Sequence, residues 1–154
     1  MIKLRRILVP TDFSEHSKKA LRYAAEFGRV HGAEVLLLHV VELPLYPVSF
    51  GVGPVAMPPI EEELKQAVRQ HLVKLQEQEL PPPLQSRTFV REGRPFLEVI
   101  AAAREFEADM IVMGTHGYSG VKHVLLGSTA EKVVRKAPCP VLTVRPDERE
   151  VVLP

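Results

Sequence analysis

The stretch Ile111–Thr129, IVMGTHGYSGVKHVLLGST, organises the reading of this 154-residue sequence. An apolar run from Met110 to Met113 stops at Gly114. Glycines follow at Gly117, Gly120 and Gly127, and Ser128 and Thr129 open a helical pattern. Locally this spells a strand, a glycine-rich loop and a helix start. The arrangement suits an anion, because glycines let backbone N–H groups come close to phosphate oxygens and a helix N-terminus adds unpaired donors and a favourable dipole. A phosphate site is expected here.

Working outward, strand-like apolar runs alternate with helical patterns along the whole chain. Leu4–Val9, Val35–Val41, Thr88–Arg91, Met110–Met113 and Val141–Val144 read as strands. The runs at Ile7, Leu8 and Val9 and at Val35–Val41 are continuously apolar, as expected for strands covered on both faces. Thr88–Arg91 has the weaker pattern of a strand nearer an edge. Ser14 is the expected N-cap of a first helix reaching about His31, with Ala20, Leu21, Ala24, Phe27 and Gly28 on a close-packing face and Gly32 as its stop. A second helix is expected from about Ile60 to Leu80. Ile60, Leu64, Ala67, Val68, His71, Leu72 and Leu75 form its stripe, Glu61, Glu62 and Glu63 its acidic first turn, and Pro81–Pro83 its end. Gly93 and Pro95 lead into a third helix that turns Phe96, Val99, Ile100 and Ala103 inward, and Ser128–Lys136 is the fourth.

This alternation predicts an open, twisted, five-stranded parallel sheet with helices on both faces, an α/β fold. Ligands of such sheets sit beyond the carboxyl ends of the strands, where the strand order reverses. The chemically rich turns follow the first strand (Thr11, Asp12) and the fourth (Gly114 onward), so those two strands should be neighbours. Between Glu42 and Pro59 five prolines and two glycines exclude helix or central strand. A loop of that length is a candidate partner surface. From 146 to 154 the chain is a tail.

The composition bounds the remaining choices. One domain spanning 1–154 is expected, with 45% hydrophobic and 25% charged residues, the mixture of a globular chain. A formal net charge of +1 without blocks of like charge gives no footprint for nucleic acid or an anionic membrane. Cys139 is the single cysteine, which excludes an intrachain disulfide framework and a Cys-rich zinc site. The N-terminal apolar stretch is too short for a signal peptide, and no segment has the length of a membrane span, so a cytoplasmic protein is expected.

The glycine loop also has a countable spacing: Gly114, two residues, Gly117, nine residues, then Gly127 and Ser128. This G-x2-G-x9-G-[ST] pattern resembles the ATP-binding branch of the universal stress protein family. ILVPTDFS, LLHVV, EGRP, ADMIVMGTHG and CPVLTVRP stand in matching order along nearly the whole chain. The competing motifs fail: there is no GxxxxGK[ST], no GxGxxG after the first strand and no GxSxG.

The resemblance implies an adenine nucleotide alpha hydrolase-like, Rossmann-like fold that binds ATP or a related adenine nucleotide. It implies that Gly117, Gly127 and Ser128 meet the phosphates with Thr129 beside them, and that Met113 and Gly114 border ribose and adenine. Asp12, with Pro10 and Thr11 in the same turn, would lie by the nucleoside, and Val40 would meet the base. The plainer readings are that the glycines only turn the chain, that Asp12 forms the turn, and that Val40 is a core valine. The family also implies a homodimer through Val141–Val144, which would protect an exposed apolar edge; the alternative is a monomer whose tail from Pro146 covers that edge.

His116 and His123 have no Cys, Asp or Glu at ligand spacing, so no metal site is expected among side chains; Mg2+ or Mn2+ would ride on phosphate oxygens. Lys122 reads as a solvated loop lysine and His39 as a satisfied core histidine. Nothing supplies a nucleophile with its base, an arginine finger or a carboxylate cluster for two metals. The resemblance implies a nucleotide-responsive stress or signalling role, with a protein partner. The alternatives are a slow ATPase on the same scaffold and an interaction module independent of nucleotide.

Overall fold

The computed structural model describes residues 1–42, 62–116 and 126–149. The remainder of the Pro-rich loop from residue 43, Ile60, Glu61, Gly117, Gly120, Lys122, His123 and the end of the tail lie outside the described residues.

The elements are β1 (Arg6–Pro10), α1 (Glu15–His31), β2 (Glu34–Val41), α2 (Glu62–Glu79), β3 (Ser86–Glu92), α3 (Pro95–Glu105), β4 (Met110–Gly114), α4 (Ser128–Lys136) and β5 (Val141–Val144). The strands form one sheet in the order β3-β2-β1-β4-β5, and every pairing is parallel. The chain thus builds outward from β1 to β3, then crosses back to lay β4 on the other side of β1. The reversal lies between β1 and β4, where Ile7 pairs with Met110 and Leu8 with Ile111. β3 is an edge strand, as its weak pattern suggests.

The period-two geometry of the strands divides the core into two layers. Ile7, Val9, Val35 and Leu37 pack with Ala20, Leu21 and Ala24 of α1 and Leu72 and Leu75 of α2. Leu8, Leu36, Leu38, Ile111 and Met113 pack with Val99 and Ala103 of α3 and Ala130 and Val133 of α4. Both faces are covered, which is why β1 and β2 are continuously apolar. At Gly28 a Cβ would come 2.8 Å from Leu84 Cδ1 and 3.2 Å from Val35 Cγ2, so glycine there sets how closely α1 lies on its neighbours.

α1 begins where the sequence places it. Ser14 caps it by accepting from Ser17 N at 3.2 Å, and Gly32 ends it with φ 65°. α2 departs from its expected stripe: only Leu72 and Leu75 are buried within the helix, while Leu64, Ala67 and His71 are exposed. Those two leucines anchor it, and shortening either to Ala costs about 2–5 kcal/mol. The tail, as far as residue 149, turns back onto α1: Lys19 Nζ donates to Pro146 O at 2.9 Å and Tyr23 OH to Arg149 O at 2.7 Å. Among the described residues no helix is long and apolar enough to cross a membrane.

Candidate functional site

The turn after β1 is built by short-range hydrogen bonds. Thr11 N donates to Leu38 O at 2.8 Å, holding the turn to the end of β2. Thr11 O lies 2.8 Å from His39 Nδ1, and because a carbonyl only accepts, Nδ1 carries the proton. Thr11 Oγ1 accepts from Phe13 N at 3.1 Å and sits 2.9 Å from Ser17 Oγ. Asp12 Oδ1 accepts from Ser14 N at 2.9 Å and from Ser14 Oγ. Asp12 is thus the turn-former of the plainer reading, yet it also lines the cleft described below, and its Oδ2 has no partner among the described residues.

On the other side of the reversal, Thr115 N donates to Val144 O at 3.1 Å, and Thr115 O accepts from Gly127 N at 2.7 Å. The two ends of the glycine-rich stretch are thereby stitched together at the mouth of β4. Position 127 is closely approached, since a Cβ would stand 3.0 Å from Thr115 O and that carbonyl would have to give by a few tenths of an ångström. Gly127 is also the N-cap of α4, with no side-chain cap, and the first helical bond runs from Glu131 N to Gly127 O. The N–H groups of Ser128, Thr129 and Ala130 are left without helical acceptors, which makes this helix start a donor surface for an anion.

Between these two turns lies a cleft of about 590 Å³, within the ordinary size of small-molecule sites. Pro10, Thr11, Asp12, Val40, Met113, Gly114, Gly127, Ser128 and Thr129, nominated from the sequence, all line it. Gly117 lies outside the described residues. The cleft has an apolar wall of Leu38, Val40, Val41, Val99 and Met113 and a polar wall of hydroxyls, histidines and the start of α4. Its described lining contains no Lys or Arg; Asp12 and Glu42 are its carboxylates. Attraction for an anion on these walls therefore comes from backbone N–H groups and the α4 dipole.

The sequence reading missed several lining residues: Ser17, His39, Glu42, Pro95, Val99, Thr115 and His116. Pro95 and Val99 come from α3, whose turn EGRP was the available signal. His39, which the sequence reads as a satisfied core histidine, is hydrogen-bonded but stands on the cleft wall. Among the described residues no three His, Cys, Asp or Glu side chains gather as a metal centre. Burial, with the nearby Asp109 carboxylate adding to it, raises the Cys139 thiol above its ordinary range and leaves it a weak nucleophile.

The Universal stress protein family profile matches residues 3–145. A universal stress protein of Thermus aquaticus is 37% identical over 142 residues, covering 92% of this chain and 98% of the relative. Among solved structures, the protein MJ0577 superposes with a TM-score of 0.76 at 26% identity, covering 96% of this chain and 100% of that one. The fold also matches a universal stress protein in complex with cAMP (TM-score 0.65, 20% identity, 93% and 98% covered) and one from Archaeoglobus fulgidus in complex with dAMP (TM-score 0.59, 24% identity, 93% and 98% covered). Sequence, sheet order and the reversal-point cleft agree, and the chain belongs to the universal stress protein family.

Proposed function

We propose that this protein binds an adenine nucleotide, ATP foremost, in the cleft between β1 and β4, and acts as a nucleotide-responsive stress or signalling protein. The observation that carries this reading is the pairing of an apolar slot with an uncapped helix start in one cleft. The slot, between Val40 and Met113, suits a base, and the N–H groups of Ser128–Ala130 suit phosphates. Asp12 Oδ2, without a partner among the described residues, suits a ribose hydroxyl or an amino group of the base. Gly117 contributes to the phosphate end by its place in the spaced-glycine pattern. Mg2+ or Mn2+ is carried by the phosphates and offsets the carboxylates of the cleft. The complexes of related folds with cAMP and dAMP support adenine as the base.

The working unit in this reading is a cytoplasmic homodimer joined along β5. Ile111 N and Thr115 N donate to Pro140 O and Val144 O, so the backbone groups of Val141 and Thr143 face away from β4 by the alternation of a parallel ladder. As far as residue 149 the tail is bound to α1, which supports a second copy as the partner of that edge.

The direct test is to denature freshly purified protein and identify the released nucleotide by chromatography and mass spectrometry. Co-purified ATP is the expected result. A protein that releases none and also fails to bind added ATP overturns the reading.

A further inference from the structure

We infer that helix α2 senses the occupancy of the cleft through a stack of three rings, His39, Phe13 and His71; the ligand in this inference rests on the nucleotide reading above. Phe13 sits between Asp12 and Ser14 with φ 65°, a left-handed conformation that is costly for a bulky residue and persists where its surroundings impose it. Those surroundings are on both sides. Its N–H is held by Thr11 Oγ1, and the next residue is clasped by Asp12 Oδ1. Its ring lies 4.6 Å from His39, tilted by 39°, and 4.1 Å from His71, parallel to within 4°. A glycine would adopt this backbone without strain; the aromatic ring instead packs against the core layer under α1 and α2 and stacks on both histidines.

The two histidines belong to different parts of the molecule. His39 lines the cleft and donates to Thr11 O, while His71 is on the exposed side of α2 and does not line it. Phe13 is the solid connection between them. Among the described residues the N-terminal half of α2 has few other ties: the buried residues of the helix, Leu72 and Leu75, lie in its second half, and ahead of His71 the Lys65–Glu92 ion pair joins it to the end of β3. Such a segment lies at the low end of local stability, where small changes in contact free energy move it. A ligand that engages Asp12 acts on the residue beside Phe13. The shift in the Phe13 backbone then re-sets the ring against His71 and with it the start of α2, which directly follows residues 43–61. Coupling is reciprocal, so a partner that binds α2 changes nucleotide affinity by the same factor.

The test is proton–carbon NMR of the histidine rings, with calorimetry of ATP and Mg2+ on the same samples. In the wild-type protein the His71 ring resonances start upfield, under the Phe13 ring, and move when ATP binds. In Phe13→Gly they start at exposed-histidine positions and do not respond while ATP still binds. Phe13→Leu keeps the apolar bulk and gives the same reading if the glycine variant folds poorly. Asp12→Ala, which needs no ligand, moves His71 in the wild-type background. ATP binding that leaves wild-type His71 still, or that moves it equally in Phe13→Gly or Phe13→Leu, overturns the coupling. If ATP gives no heat, the nucleotide reading falls. The Asp12→Ala shift then decides the stack alone: movement of His71 supports the connection and its absence overturns it.

Discussion

The two ends of the sheet use their polar groups in opposite ways. At the amino end of the strands, side chains and backbone are joined by a set of direct bonds. Asp109 Oδ2 accepts from Arg5 N and Arg6 N at 2.8 and 3.0 Å, Gln76 Nε2 donates to Ser86, and Arg87 grips Glu34 through two bonds. A hollow of about 500 Å³ exists there too, lined by Gln76, Leu80, Leu84 and Ser86, and the two amide protons of Gln76 are taken by Ser86 O and Oγ. At the carboxyl end, among the described residues, the start of α4 holds N–H groups without helical acceptors and Asp12 has an oxygen without a partner. The lesson is that cavity size alone does not nominate a site; open helix-start donors beside an apolar wall do.

This contrast breaks most sharply by filling the open end. Val40→Trp places a large ring in the slot and is expected to weaken ATP by about a hundredfold or more, roughly 2.7 kcal/mol, measured by calorimetry. The closed end should respond in stability instead. Asp109→Ala strands two backbone N–H groups and is expected to cost about 1–3 kcal/mol in chemical denaturation, with ATP affinity unchanged. Asp12→Ala should weaken ATP by about tenfold through the loss of one charge-assisted hydrogen bond, and should lower stability less than Asp109→Ala does. Thr143→Pro removes one outward-facing N–H from β5 and leaves the β4 ladder whole; sedimentation should show monomers of unchanged fold. The smallest effect belongs to Arg87→Ala. Its ion pair with Glu34 is exposed, so thermal unfolding should move by no more than about 1 °C.

The sequence carries the layer structure well because the two sheet faces demand it. Continuous apolar runs in β1 and β2, the Ser14 cap and the Gly32 stop each arise from local chemistry that the folded chain retains. The adjacency of β1 and β4 was legible for a different reason, since chemically rich turns at two strand ends belong together at a reversal point. α2 was less legible. Its apolar spacing continues through Leu64 and Ala67, but the helix is covered only around Leu72 and Leu75, and spacing alone does not reveal where the supporting layer ends. His39 shows the corresponding limit at the site. An imidazole inside an apolar run has the same sequence signature in a core as on a cleft wall. Only the fold brings Thr11 O to its Nδ1 and Phe13 to its face.

The account stands on nucleotide occupying the open end of the sheet. Titrating ATP with Mg2+ into nucleotide-free protein by calorimetry tests this most directly. One site per chain with a Kd on the order of micromolar is predicted, together with its loss in Val40→Trp. No heat at millimolar ATP, or binding that Val40→Trp leaves intact, contradicts the account.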